Sequence, residues 1–291
     1  QPLVSVVIPC YNHEQFVQDC IQSVIDQTYQ NIELIIIDDG SSDRSVEKIQ
    51  EMVDSCKERF THFEFRHRPN KGLSATLNES LEWCQGEYYC PFASDDIMIK
   101  NKILLQLEYL RNHDQCAGVF GAFEVIDQNS QVLTNRRKRN RGYTFKDIFL
   151  HQHELPAPTQ MLRMNIVREV GGYKNDILIE DWYMWLKISK LGYSLDFIDV
   201  VFAMYRRHEN NTSNKLELIA EGRKQIIALF KDSKFVDEAY LFAYLVSANE
   251  YLYIDINKSW NFYVIFIKNK KNLFSLSSFK YLFKFILRII K

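Results

Sequence analysis

Neither a CxxC pair nor a zinc-finger spacing occurs among the six cysteines, Cys10, Cys20, Cys56, Cys84, Cys90 and Cys116. That excludes the common structural zinc modules. Several of these thiols sit inside apolar runs, so they read as small buried hydrophobes kept reduced. No uninterrupted apolar stretch reaches the roughly 20 residues that a membrane-spanning helix needs. A signal-peptide pattern is lacking as well, and the chain opens on Gln1, which reads as a trimmed start. The formal net charge of −1 offers no global attraction to nucleic acid. With 46% apolar and 25% charged residues in 291, the composition excludes a disordered class and supports one large domain or two modest ones. A cytoplasmic protein is expected, with any membrane contact made at the surface.

What is present begins with short β-branched runs. Leu3 to Pro9 and Ile32 to Ile37 read as parallel strands buried on both faces. Helical spacing of Phe16, Cys20, Ile21, Val24 and Ile25 predicts a helix over Gln15 to Gln27, and a second runs from Ser45 to Phe60. A strand at Phe63 to Arg66, a helix from Ser74 to Cys84 and a strand at Tyr88 to Phe92 complete the series. Strand alternating with helix implies a parallel α/β sheet, whose ligands bind outside the carboxyl ends of the strands. Three polar clusters fall there: Pro9 to Asn12, Asp38 to Asp43, and Asp95-Asp96. Turn and cap chemistry accounts for part of the second. Tyr11 is either packing or a stacking platform for a base. Two adjacent carboxylates at a strand end suit a divalent cation and a diphosphate.

The segments Val4 to Asn12, Gln27-Thr28-Tyr29, Glu33 to Asp43 and Ala93-Ser94-Asp95-Asp96 resemble family 2 glycosyltransferases of the GT-A fold, over about residues 1 to 210. The resemblance implies roles residue by residue. Pro9, Tyr11 and Asn12 are similar to the segment at the nucleotide, Pro9 and Tyr11 packing on the uracil, and Asp39 to the carboxylate that accepts a hydrogen bond from the uracil ring. Asp95 resembles the residue near ribose and metal, and Asp96 the ligand of the Mn²⁺ or Mg²⁺ that bridges the diphosphate. Many members carry a further Asp where this chain has Ala93. Lys71 resembles a loop residue near the nucleotide and reads equally as a solvated charge.

Gly171-Gly172-Tyr173, Glu180-Asp181-Trp182 and Leu191-Gly192-Tyr193 look like the acceptor-side block of the same family. There the Asp of the Glu-Asp pair is the base of inverting members, which implies Asp181 as base, Glu180 as its neighbour and Trp182 as an acceptor contact. Acids in the first turn of a helix also suit its dipole. Arg206 is implied as a phosphate contact, and His208 either completes the metal shell or is structural. The basic run Arg136 to Arg141 is a solvated loop or an approach to an anionic acceptor, and His151-Gln152-His153 reads as a loop.

Domain boundaries are expected at 1–213, with a nucleotide-sugar half to residue 100 and an acceptor half beyond, and at 214–291, a helical extension. From Ile256 to Lys291 there are eight basic residues and no acid, with Lys280, Lys284, Arg288 and Lys291 on one helical stripe beside large apolar residues. Such a helix either lies in a membrane surface or packs on protein. The expectation is a metal-dependent inverting glycosyltransferase that moves a sugar from a UDP-sugar to a glycan or lipid-linked acceptor, bound peripherally at the cytoplasmic face of the inner membrane. The alternatives are a non-catalytic sugar-nucleotide-binding subunit, disfavoured by the presence of Asp39, Asp96 and Asp181, and a nucleotidyltransferase. The latter class opens on a Gly-rich basic loop, and Pro9 to His13 stands in that place.

Overall fold

A computed structural model describes residues 1–209 and 211–290. Ten strands form one sheet: β1 (Val4–Cys10), β2 (Ile32–Asp38), β3 (His62–His67), β4 (Tyr88–Pro91), β5 (Ile97–Met98), β6 (Cys116–Ile126), β7 (Val132–Arg136), β8 (Arg141–Tyr143), β9 (Met161–Arg163) and β10 (Ser194–Arg206). Their order is β3-β2-β1-β4-β9-β6-β10-β5, with β7 added to β6 and β8 to β10. The chain divides into two compact units. The first holds residues 1–145, 154–176 and 180–209; the second holds 146–153, 177–179 and 210–291.

The first unit follows from the apolar runs. Strands β1 and β2 are buried along nearly their whole length, which their largely apolar runs suit on both faces. Parallel pairing of Val4 with Ile32 through Cys10 with Asp38, and of Val4 with Tyr88, sets their carboxyl ends along one edge. Helix α1 (Val17–Ile25) buries Val17, Cys20, Ile21 and Val24 at helical spacing. The helix expected over Ser45 to Phe60 is two, α2 (Ser45–Gln50) and α3 (Val53–Arg59), parted where the Met52 amide takes the tighter i−3 partner Ile49. Next come α4 (Leu73–Trp83) and α5 (Lys102–Arg111); then α6 (Phe145–Phe149), nearly all of which belongs to the second unit; and α7 (Met164–Glu169) and α8 (Glu180–Lys190) in the first. All six cysteines are free and buried, as their apolar settings predict.

At the amino end of the sheet, buried Glu33 accepts from the Ser5 hydroxyl and from the amides of Gln85 and Gly86 at 2.6 and 2.8 Å. A carboxylate inside a strand is thus supplied with donors where burial alone would penalise it.

The second unit carries α9 (Leu216–Leu229), α10 (Val236–Tyr251), α11 (Ile256–Phe266), α12 (Lys270–Leu273) and α13 (Leu276–Ile290). Helix α10 ends before Asp255, whose carboxylate caps α11 by accepting from the Asn257 and Lys258 amides. Arg223 of α9 and Glu250 of α10 form a largely buried ion pair. No helix among the described residues is long and apolar enough to cross a membrane.

Candidate active site

Three strand ends meet at the carboxyl edge of the sheet. Asp38 is fully buried and works within the protein, accepting the Ser41 amide at 2.9 Å and facing His67 Nδ1 at 2.8 Å. Asp39 holds the following loop. Its Oδ1 accepts from the Arg68 guanidinium and from the Lys71 amide at 2.8 Å, and Oδ2 accepts the Gly72 amide at 2.9 Å. Oδ2 therefore keeps a lone pair for one more donor. Lys71 acts through its backbone, while its side chain is 59% exposed. Gly40, at φ +76°, makes the turn possible, since a Cβ there would lie 2.6 Å from the Asn70 amide nitrogen. Tyr11 stands 50% exposed at the same edge, next to half-buried Pro9. Asn12 takes φ +55° and its side-chain oxygen accepts the Ser42 amide at 2.8 Å.

Asp95 is brought to this edge by pairing that runs across the sequence. Strand β5 lies antiparallel to β10, with Met98 opposite Ala203 and Ile97 opposite Met204. Continued outward, that register sets Arg206 beside Asp95. His208 Nε2 lies 2.9 Å from Asp95 Oδ2, and His13 Nε2 lies 4.0 Å from the same oxygen. The ligand atoms of His13, Asp95 and His208 all fall within 4.8 Å of one another, a spacing that could hold one metal ion. Burial alone would raise the Asp95 pKa, but the His208 hydrogen bond and the two imidazole charges outweigh it and hold it below the ordinary carboxylate range.

Asp96 differs from its neighbour. Its Oδ1 accepts the Arg206 amide at 2.8 Å, and its buried Oδ2 has no hydrogen-bond partner. Burial, with the Asp95 charge adding to it, pushes the Asp96 carboxyl well up. An orphaned carboxylate oxygen one residue from a His/Asp/His group fits a divalent cation, which would supply the missing partner and favour the ionised form.

Arg206 faces inward. It is 1% exposed; its guanidinium donates to the carbonyls of Asp95 (2.8 Å), Asp127 (3.3 Å) and Gln128 (3.1 Å) and to the Ser130 hydroxyl (2.9 Å), and it pairs with Asp19 at 3.3 Å. Those hydrogen bonds fasten the Asp95 turn to β10 and to the loop after β6, which is where the structure places the residue expected at phosphate. Substituting Arg206→Met strands those carbonyls. It is expected to cost about 3–5 kcal/mol, read as a fall in Tm of about 10 °C by calorimetry.

The segment ahead of α8 is built on a turn that needs glycine. Gly171 and Gly172 take φ +80° and +71°. Asn78 of α4 then clamps Tyr173 from both sides, accepting its amide at 2.8 Å and donating to its carbonyl at 2.9 Å. Helix α8 opens with Glu180 and Asp181, both half-buried. Trp182, expected as an acceptor contact, is 3% exposed and packs inward at the start of the helix. Trp185 Nε1 donates to Gln160 Oε1 at 3.2 Å, and the Gln160 carbonyl accepts from buried Lys102 at 3.2 Å, tying α8 to α5. Desolvation, with the Asp181 charge adding to it, pushes the Glu180 carboxyl up to about 8. Desolvation likewise raises Asp181 to about 6, against the Trp182 amide that donates to it at 2.6 Å.

Two contributors were not singled out from the sequence, His13 and Arg68. His13 stands three residues past β1, on the same edge as Asp95, and that offset from a strand end was the available signal. Arg68 follows β3 directly, yet only the folded loop shows it reaching Asp39. In the basic run, Arg137 pairs with Asp199 and Lys138 with Glu154, both at 2.9 Å, so these two charges already have acidic neighbours.

Comparison with known proteins agrees with this architecture. The sequence profile described as glycosyl transferase family 2 matches residues 5–171. An uncharacterized glycosyltransferase of Haemophilus influenzae is 29% identical over 224 residues, covering 73% of this chain and 68% of that one. The putative teichuronic acid biosynthesis glycosyltransferase TuaG of Bacillus subtilis is 29% identical over 217 residues, covering 74% and 82%. Two Rickettsia relatives are longer, and the match spans 31% and 36% of them. Among solved structures, TarS 1–349 of S. aureus in complex with UDP-GlcNAc has a TM-score of 0.63 at 16% identity, covering 98% of this chain and 81% of that one. The mannosyltransferase PcManGT of Pyrobaculum calidifontis, in complex with GDP-Man and Mn²⁺, has a TM-score of 0.65 at 14% identity, covering 100% and 81%. The expected α/β sheet with a helical C-terminal region is the GT-A fold of these neighbours. With the profile running through β1, the Asp38–Asp43 turn and Asp95-Asp96 to Gly171, the chain belongs to glycosyl transferase family 2.

Proposed function

We propose that the chain is an inverting glycosyltransferase that moves a sugar from a UDP-sugar to a hydroxyl of a glycan or lipid-linked glycan in bacterial surface-polysaccharide synthesis. The observation that carries this reading is the carboxyl-edge cluster, where Asp95 sits between His13 and His208. The UDP-GlcNAc and GDP-Man named in the structural neighbours support a sugar-nucleotide donor, and the teichuronic acid relative supports a polysaccharide product.

In this reading Tyr11 stacks on the base, and the spare lone pair of Asp39 Oδ2 accepts the ring N–H of uracil. Asp95, His13 and His208, with Asp96 beside them, would hold a divalent ion, whose chemistry is to neutralise charge on the departing diphosphate. Asp181, with its pKa of about 6, is ionised at neutral pH yet basic enough to take the acceptor proton. Glu180, raised to about 8, retains its proton there and is able to donate a hydrogen bond to the acceptor. The acceptor oxygen bonds to the anomeric carbon as the carbon–phosphate oxygen bond breaks. The bonding pair leaves with UDP, the proton goes to Asp181, and the configuration inverts.

The test is release of UDP or GDP from a panel of sugar nucleotides, with and without Mn²⁺. Slow metal-dependent hydrolysis of a UDP-sugar is the expected result. Turnover confined to GDP-sugars overturns the donor assignment, and binding of none of them overturns the transferase reading for this site.

A further inference from the structure

Helix α13 in the second unit has three sides of different character. One side is packed: Tyr281 stacks on Tyr263 of α11 with ring centroids 4.3 Å apart, its hydroxyl lies 2.7 Å from the Ser259 hydroxyl, and Phe285 lies against Trp260 at 4.9 Å. The hydroxyls of Tyr263 and Ser278 are also hydrogen-bonded. Another side, at i, i+3, i+4 and i+7 spacing, is apolar and open. Leu276, Phe279, Phe283, Ile286, Leu287 and Ile290 are each between 46% and 76% exposed. Between the two runs a basic stripe of Lys280, Lys284 and Arg288; Lys284 reaches Asn249 at 3.2 Å and the stripe is otherwise at the surface. The stripe expected from the sequence also included Lys291, which lies outside the described residues.

Packing through Tyr281 therefore fastens the helix without covering its apolar side. A contiguous apolar patch of this kind on a folded protein marks an interaction surface. Charge says which kind: no acidic residue occurs from Ile256 onward, so the helix carries cations and no acid beside its apolar side. A second copy of the chain would bring the same cations against these, whereas an anionic bilayer complements them.

We infer that α13 is an in-plane docking surface for anionic lipid, its apolar side entering the boundary between headgroups and acyl chains while Lys280, Lys284 and Arg288 meet lipid phosphates. The surface lies within the second unit, and its test does not depend on donor or acceptor chemistry.

The experiment is flotation of the full chain with vesicles of phosphatidylglycerol and phosphatidylethanolamine, against vesicles of phosphatidylcholine alone. Binding is expected to the anionic vesicles only, weakening as salt is raised. Each cation contributes about 1 kcal/mol, so the triple substitution Lys280→Gln, Lys284→Gln and Arg288→Gln is expected to weaken binding about a hundredfold. The pair Phe279→Ser and Phe283→Ser is expected to weaken it more than tenfold with Tm unchanged, because both rings are exposed. Absence of wild-type binding to anionic vesicles overturns the inference. So does a concentration-dependent dimer in light scattering that the serine pair dissociates while vesicle binding persists, since the patch would then join two copies. If the serine pair unfolds the chain, the glutamine triple decides: unchanged vesicle affinity there overturns the inference as well.

Discussion

Replacing Asp181 with Asn is expected to lower kcat by about a hundred- to ten-thousandfold while leaving the Kd for the sugar nucleotide unchanged. Asn has the shape of Asp and still accepts the Trp182 amide, so the start of α8 is kept. What is lost is a proton acceptor. The wild-type kcat/KM should rise with pH through an apparent pKa near 6, and the variant's residual rate should lack that limb. Because Glu180 and Asp181 repel one another, the profile reports the pair. Retention of more than a tenth of wild-type kcat, with the pH limb intact, would remove Asp181 as base.

The same substitution should stabilise the protein at alkaline pH. A carboxyl whose pKa is raised by folding binds its proton more tightly in the native state than in the unfolded one. Stability then falls as pH climbs from the unfolded value near 4 towards the raised values of about 6 for Asp181 and 8 for Glu180. Below pH 4 both states are protonated and the penalty vanishes. Asp181→Asn removes the Asp181 share and eases the repulsion on Glu180. At pH 8.5 it should therefore gain about 1–3 kcal/mol over wild type, and at pH 4 nothing. A variant that is nearly inactive and yet harder to melt at alkaline pH separates a functional carboxylate from a structural one.

The second large effect concerns Asp95. Asp95→Ala is expected to lower Mn²⁺ affinity about a hundredfold or more, measured by titration calorimetry on the donor-free protein, and to abolish turnover. His13→Ala and His208→Ala should each act in the same direction, because both imidazoles face the same carboxylate oxygen. Chelation should stop wild-type turnover and Mn²⁺ should restore it. Asp96→Asn distinguishes the two neighbouring acids. Its amide oxygen can still accept the Arg206 amide, so Tm should hold, while Mn²⁺ affinity should fall because the orphaned oxygen is no longer a carboxylate. Equal Mn²⁺ affinity in wild type and Asp95→Ala would show that the His/Asp/His group holds no ion.

Several of these residues could be picked out without coordinates, and the reason is locality. Val4–Cys10 and Ile32–Asp38 are apolar on both faces, and the alternation of strand and helix orders their carboxyl ends along one edge. Asp39, Asp95 and Asp96 are then candidates by position alone, and the family motifs add Asp181. What locality cannot supply is the partner of each. Asp39 meets Arg68 and Asp95 meets His208 across 29 and 113 residues. Arg206 was expected at phosphate, a role that names no protein partner for it. Its burial follows from β5 lying antiparallel on β10, and no pattern near residue 206 encodes that pairing. Trp182 shows a related limit: helical spacing gives the face a residue shares, and only the packed sheet tells whether that face is covered.

By itself, then, the order of apolar and polar residues determined the α/β class, the carboxyl-edge location of the acids, and a basic, acid-free C-terminal segment with an apolar side. Tertiary structure alone decided that Asp95 is flanked by His13 and His208, that Arg206 is buried and bonded to the Asp95 carbonyl, and that the apolar side of α13 is left open once Tyr281 is packed. The physical difference is range. Backbone propensity and side-chain period act over a few residues, whereas hydrogen-bond partners, desolvation and the burial of a charge depend on which distant segments the sheet register brings together.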